Sequence, residues 1–84
     1  PDEALRKALT KLPGIGPWTA DMLMIFALQR PDILSFEDFG IRKGILLLHD
    51  LEALDKKQFA AYRERYAPWG TIASFYLWEI AGGK

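Results

Sequence analysis

Residues 12–20, Leu12-Pro13-Gly14-Ile15-Gly16-Pro17-Trp18-Thr19-Ala20, put two glycines and two prolines into one short run between stretches of helical periodicity. No helix continues through such a run, because proline removes an N–H and glycine gives up backbone order. The chain is thereby committed to a helix, a tight turn and a second helix. Pro17 has its φ preset for a first helical position and gives up only an N–H that a helix start leaves unpaired. Gly14 and Gly16 can each take a positive φ and carry no Cβ to hold a neighbour away. Bare N–H groups at the start of the second helix therefore point outward, an arrangement that suits a phosphate. Ile15, between the glycines, is expected to pack back between the two helices.

Apolar spacing along the rest of the chain predicts about five helices and no strand. The first covers about 2–11, with Leu5, Ala8, Leu9 and Leu12 as its buried stripe. The second runs from Pro17 to about Leu28, is apolar all round, and is expected to be the central, most buried helix. Residues 29–37 read as loop, since Pro31 disfavours helix at Arg30. A third helix starts at Asp38 or Phe39 and ends near Leu48. Asp55 and Gln58 form a capping-box start for a fourth, with Phe59, Tyr62 and Tyr66 on one face. Pro68 ends it and opens a fifth, expected to carry Ile72, Phe75, Tyr76 and Ile80 inward and to stop at Gly82-Gly83. Trp69 reads as core or helix-start packing, and the lone His49 as an ordinary surface or helix-end residue. The fold class is all-α: a compact bundle forming one domain over 1–84, with the hairpin at about 12–17 and a second loop of interest at about 34–39.

Half of the 84 residues are hydrophobic, enough for a small core. The chain contains no cysteine, which excludes disulfides, thiolate zinc sites and iron-sulfur clusters. The longest apolar run, Met22 to Leu28, is far too short to span a bilayer. With no signal peptide visible, a cytoplasmic location is expected. Pro1 in place of an initiator Met suits a fragment or a trimmed chain.

The Leu-Pro-Gly-Ile-Gly segment resembles the helix-hairpin-helix of the DNA glycosylase superfamily, which places an aspartate about twenty residues beyond the hairpin, where Asp38 stands. Within the superfamily, Arg30-Pro31-Asp32, Phe36 through Lys43, and Tyr66-Ala67-Pro68-Trp69 through Trp78 resemble the 3-methyladenine DNA glycosylase II branch. The resemblance runs through nearly the whole chain and covers the C-terminal portion of that family's catalytic domain. It implies a monofunctional DNA glycosylase of base-excision repair, hydrolysing the N-glycosidic bond of alkylated purines such as 3-methyladenine in double-stranded DNA.

Breaking that bond develops positive charge on the deoxyribose, so a carboxylate near the anomeric carbon is needed more than a strong nucleophile. Asp38 would be that anion, held ionised by a helix N-terminus; on local sequence alone it reads equally as an ordinary N-cap. Glu37 is the adjacent alternative. Trp18 stands where bifunctional relatives carry a nucleophilic lysine, and an indole cannot form a Schiff base. The resemblance assigns Trp18 and Trp78 to the pocket for a flipped base, where electron-rich faces suit a cationic base. Either residue is also what plain core packing would produce. Met22 stands where an aromatic often contributes to that pocket. Gly70-Thr71 replaces a common Arg-Ser and removes a cation that would contact DNA.

The hairpin residues Gly14, Ile15, Gly16 and Thr19 would contact the DNA backbone. The family's hairpin holds a monovalent cation through backbone carbonyls, here those of Leu12, Gly14 or Ile15; no other cofactor is implied. Net charge is zero, unusual for a DNA-binding chain. Local clustering, Arg6, Lys7 and Lys11 before the hairpin and Arg42 and Lys43 after Asp38, answers part of this, although at least half of these charges are expected to be solvated helix faces. DNA affinity should then be modest and salt-sensitive. The second function class is a noncatalytic helix-hairpin-helix module that binds DNA through phosphates alone, and the third a helical protein-interaction domain. The family's base-receiving cleft lies between two helical subdomains, so this portion alone is expected to be a scaffold with little activity, its exposed apolar surface open to a second copy or another chain.

Overall fold

Two helices that touch backbone to backbone set the frame. The computed structural model describes residues 1–82 as α1 (Asp2–Thr10), α2 (Pro17–Phe26), α3 (Phe39–Leu48), α4 (Lys56–Tyr66) and α5 (Gly70–Ala81), with no strand among them. At Gly44 of α3, a Cβ would lie 2.5 Å from the Leu77 carbonyl oxygen and 2.8 Å from the Leu77 Cβ of α5. Only glycine admits that approach. Around the crossing, Leu34, Ile41, Ile45, Phe59 and Leu77 form one buried cluster, with Tyr62 and Tyr66 of α4 packed on it. Met24, Ile25 and Ile33 form a second, against which Leu5, Leu9, Met22 and Trp78 pack.

The predicted helices are all present, and the α4 start has both halves of its capping box: Gln58 N–H donates to Asp55 Oδ1 at 2.7 Å and Asp55 N–H to Gln58 Oε1 at 3.0 Å. Asp38 is the N-cap of α3. The inward face of α5 differs from expectation. Its buried residues are Gly70, Thr71, Ser74 and Leu77, while Ile72, Phe75 and Tyr76 are 56%, 49% and 71% exposed and Ile80 is half-buried. Close approach to α3 selects small side chains, so the larger apolar stripe is turned outward. Trp69 caps the start of α5 without entering the core, at 61% exposure. Gly82 is the C-cap of α5, and Gly83, the other half of the predicted stop, lies outside the described residues.

The segment before α3 is also tighter than a polar loop. Ile33, Leu34 and Ser35 are buried, and α5 holds them in place. Ile33 N–H donates to Thr71 Oγ1 at 3.1 Å, which itself donates to the Arg30 carbonyl at 2.6 Å. The single Ser74 O–H is shared between the Ile33 and Gly70 carbonyl oxygens, at 2.7 and 2.9 Å from Oγ, and Gly70 N–H donates to Asp32 Oδ1 at 3.0 Å. These bonds fix the chain that leads into Asp38. Helix α2 ends at Phe26 rather than Leu28; with Ala20, Asp21, Met24 and Ile25 buried it has the largest buried share of the five helices, but it is not enclosed all round, since Trp18, Leu23 and Phe26 are exposed. In α1, Leu5 and Leu9 pack inward against the Met24, Ile25 and Ile33 cluster, while Ala8 is exposed, as is Leu12 just past the end of the helix.

Gly44→Ala should lower stability by about 1–3 kcal/mol through overpacking, more than the ~1 kcal/mol that alanine returns by helix propensity. A fall in the thermal midpoint of about 4–8 °C per net kcal/mol, read by circular dichroism, checks it.

Candidate active site

The hairpin forms as the sequence dictates, with one difference. Gly14 has φ +79°, while Gly16 is the N-cap of α2 in extended backbone, φ −90° and ψ −179°. The turn closes through Ile15 N–H to the Leu12 carbonyl at 3.2 Å, and Ile15 is half-buried. Pro17 is at the first position of α2, and no side chain caps this helix. The first α2-related N–H bonded back to the turn is that of Ala20, to the Gly16 carbonyl at 2.9 Å. A Cβ at Gly14 or Gly16 would meet nothing within 4 Å, so the tip is open to an approaching group. Thr19, in the first turn of α2, is half-buried.

Past the tip, the same helix carries Trp18 to Asp38. Trp18 Nε1–H donates to Asp38 Oδ1 at 2.6 Å. From α5, Trp78 Nε1–H donates to Asp38 Oδ2 at 2.6 Å, and from α3 the Ile41 N–H donates to the same oxygen at 2.9 Å. Asp38 is 8% exposed. Burial pushes its carboxyl pKa up, but the indole N–H groups of Trp18 and Trp78 and the backbone N–H groups of Ile41 and Gly40 outweigh burial and hold it below the ordinary value. These donors are all neutral, so the negative charge is stabilised by dipoles rather than by an ion pair.

Trp78 is itself held. Phe26 stacks on it with ring centroids 6.0 Å apart and planes 12° from parallel, and Phe75 lies tilted at 5.7 Å. Its edge abuts Gly40, where a Cβ would come within 2.8 Å of Trp78 Cδ1 and 3.2 Å of Asp38 Oδ2. Trp18 is more open, at 47% exposure. Met22, one turn along α2 from Trp18, is half-buried against the second core cluster, as Trp78 is. Sequence reasoning brought Asp38, Trp18, Trp78 and Met22 to one place but missed Phe26 and Gly40. Phe26 was findable, since Trp18, Met22 and Phe26 recur every four residues along one face of α2.

Glu37 lies elsewhere. It lines a neighbouring cleft of about 290 Å³ with Lys56, Arg63, Arg6 and Asp21. Arg6 is no free cation: Asp21, only 4% exposed, accepts its Nε–H at 2.8 Å, and Glu3 accepts from Nη1 at 2.9 Å. That pair ties α1 to α2 across the hairpin. Arg42 lies over the Phe36 ring at 5.4 Å, while Lys7, Lys11 and Lys43 are exposed. His49 ends α3 with Nε2 2.9 Å from the Tyr66 hydroxyl and its ring stacked on Tyr62. Among the described residues no group of three or more His, Cys, Asp or Glu side chains is placed to hold a metal ion, and no helix is long and apolar enough to cross a membrane.

A carboxyl pKa lowered by folding adds stability that is fully present above its unfolded value and is lost as pH falls through the folded one. Urea unfolding of the native chain and of Asp38→Asn should therefore show a stability gap that is widest near neutral pH. That gap should shrink as pH drops below the ordinary carboxylate range.

No family model matches the chain. It is 40% identical over 81 residues to DNA-3-methyladenine glycosylase 1 of Schizosaccharomyces pombe, an alignment covering 95% of this chain and 36% of that protein. A crystal structure of a DNA-3-methyladenine glycosidase from Bacillus halodurans superposes with a TM-score of 0.84 at 38% identity, covering 98% of this chain and 38% of that one. The S. pombe 3-methyladenine DNA glycosylase in complex with abasic DNA superposes with a TM-score of 0.81 at 40% identity, covering 94% of this chain and 39% of that one. The chain thus spans little more than a third of the length of these relatives. On sequence and fold together, the chain is similar to about a third of the length of these DNA-3-methyladenine glycosylases.

Proposed function

We propose that this chain carries the catalytic carboxylate and the backbone anchor of a monofunctional DNA glycosylase acting on alkylated purines. One observation carries the reading: an ionised, buried aspartate whose hydrogen-bond partners are all neutral N–H groups, with no acidic proton donor among them. Such a site stabilises positive charge and offers nothing to protonate a departing base. It therefore suits a base that leaves unaided. Alkylation of a purine such as 3-methyladenine supplies that property, because the ring is already cationic and departs as a neutral molecule, taking the glycosidic electron pair with it. The sugar is left oxocarbenium-like, opposite the Asp38 carboxylate. Water then bonds to the anomeric carbon, and its proton passes to solvent.

The remaining parts fall into place around that step. The exposed face of Trp18 would stack on an extruded cationic base through cation-π attraction, with Met22 beside it. Gly14, Ile15, Gly16 and Thr19 would set the duplex through phosphate contacts to the uncapped start of α2. A monovalent cation would be held at the turn by the carbonyls of Leu12, Gly14 and Ile15; these are neutral, hard oxygens, and the Leu12 carbonyl keeps a second lone pair beyond the one Ile15 N–H uses. The cation would add positive charge where a phosphate approaches.

Base release from methylated DNA tests the reading, measured for this chain and for the full gene product that carries it. Asp38→Asn in the full product should lower release ~10²-fold or more with DNA binding retained, since a neutral amide cannot offset the developing charge. Borohydride during turnover should trap no protein-DNA adduct, because no lysine lies between Pro17 and Leu28 to form one. Excision surviving Asp38→Asn would leave the noncatalytic DNA-binding module as the better reading. For the anchor, Gly14→Asp should weaken binding to all sequences alike, roughly tenfold at low salt, and lower the slope of log affinity against log salt by about 1. Fluorescence anisotropy on a variant shown by circular dichroism to be folded measures both.

A further inference from the structure

We propose that Trp78 is a positioning residue that fixes the Asp38 carboxylate so that Oδ2 is committed to the protein and Oδ1 is the oxygen left to face the reacting sugar, a role that rests on the reading of Asp38 given above. The two oxygens are not equivalent. Oδ2 accepts Trp78 Nε1–H at 2.6 Å and Ile41 N–H at 2.9 Å, and two donors occupy both lone pairs of a carboxylate oxygen. Oδ1 accepts one such bond, from Trp18 Nε1–H at 2.6 Å.

The surroundings of the two indoles divide their work in the same way. Trp78 is half-buried, with Phe26 stacked on its face, Phe75 beside it and Gly40 at its Nε1 edge. A ring so enclosed has little face to offer a base. What it presents is its N–H, and the glycine at position 40 is what lets that N–H reach α3: a Cβ there would stand 3.3 Å from Trp78 Nε1. Trp18 donates an equally short bond yet leaves 47% of its surface exposed, so it can hold the carboxylate and receive a base together. Rotation of the carboxylate about χ2 would break the Trp78 bond and the Trp18 bond at once. The indole pair therefore sets the plane of the reacting group as well as its charge.

The three tryptophans make the test direct. In a ¹H–¹⁵N spectrum of this chain at neutral pH, Asp38→Asn should move the indole Nε1–H signals of both Trp18 and Trp78 upfield, as each loses a charge-assisted bond. Trp69, 61% exposed, should stay in place and serves as the internal reference. A Trp78 signal that does not respond would overturn the proposal, and this comparison needs neither DNA nor activity, so it can do so even if no excision is ever detected. In the full gene product, Trp78→Phe keeps an aromatic ring and removes one N–H donor. The acid limb of its kcat profile should move to higher pH with KM for damaged DNA unchanged. A raised KM with an unmoved pH profile would instead make Trp78 a base-stacking surface and sink the positioning role.

Discussion

A carboxylate taken out of water without a cation beside it survives only where neutral N–H groups surround it, and those around Asp38 come from three different helices. Burial of one ion costs several kcal/mol after relaxation. A hydrogen bond to a charged group is worth about 1.5–3 kcal/mol, so the bonds from Trp18, Trp78 and Ile41 together are of the right size to offset that cost. Lose one helix from the arrangement and the balance fails. The requirement explains why the start of α2, the N-terminus of α3 and the C-terminal half of α5 are held in fixed relation: each brings N–H donors to the same pair of oxygens.

The glycines of α3 and the small residues of α5 are the means. Gly44 lets α5 approach until its Leu77 carbonyl would touch an added methyl group, and Gly40 lets the Trp78 edge come against the start of α3. Thr71 and Ser74, both buried, then use their hydroxyls to hold the segment from Arg30 to Ile33 against α5. The consequence shows on the opposite side. With its small face inward, α5 turns Ile72, Phe75 and Tyr76 outward, and α2 leaves Phe26 62% exposed beside them. One packing decision thus builds the site and uncovers an aromatic face.

That decision also marks where sequence reasoning stopped. The hairpin, the helix count, the capping box at Asp55 and the N-cap at Asp38 were legible because each rests on local chemistry: a proline that cannot continue a helix, a side chain that reaches its own backbone. The inward face of α5 was not, because hydrophobic periodicity favours large apolar residues whereas close helix contact favours small ones, and Ile72, Phe75 and Tyr76 made the stronger pattern. Ile33 and Leu34 were hidden for a related reason. They are two apolar positions in a polar stretch, with no period to announce that hydroxyls 38 and 41 residues from Ile33 would hold the segment in the core. At the site, residue types pointed to Asp38 and both tryptophans, but the partner of each indole N–H is a tertiary fact that no spacing contains.

The zero net charge follows from the same chemistry. Arg6, which in sequence looked like part of a basic cluster before the hairpin, is consumed by Asp21 and Glu3, and Arg42 lies across Phe36. Two of the five clustered cations are thereby internal struts. What the proposed function needs is supplied by aligned N–H dipoles: the uncapped start of α2 for a phosphate, two indoles and two backbone amides for a carboxylate. Dipoles fixed by the fold act at short range and are already oriented before a ligand arrives. Formal charges act further but are screened by salt within about 10 Å at 0.1 M. A chain that relies on the first kind can be electrically neutral overall and still hold one anion in place while receiving another, provided its helices do not move, and the Gly44 contact and the Thr71 and Ser74 bonds keep α3 and α5 from moving.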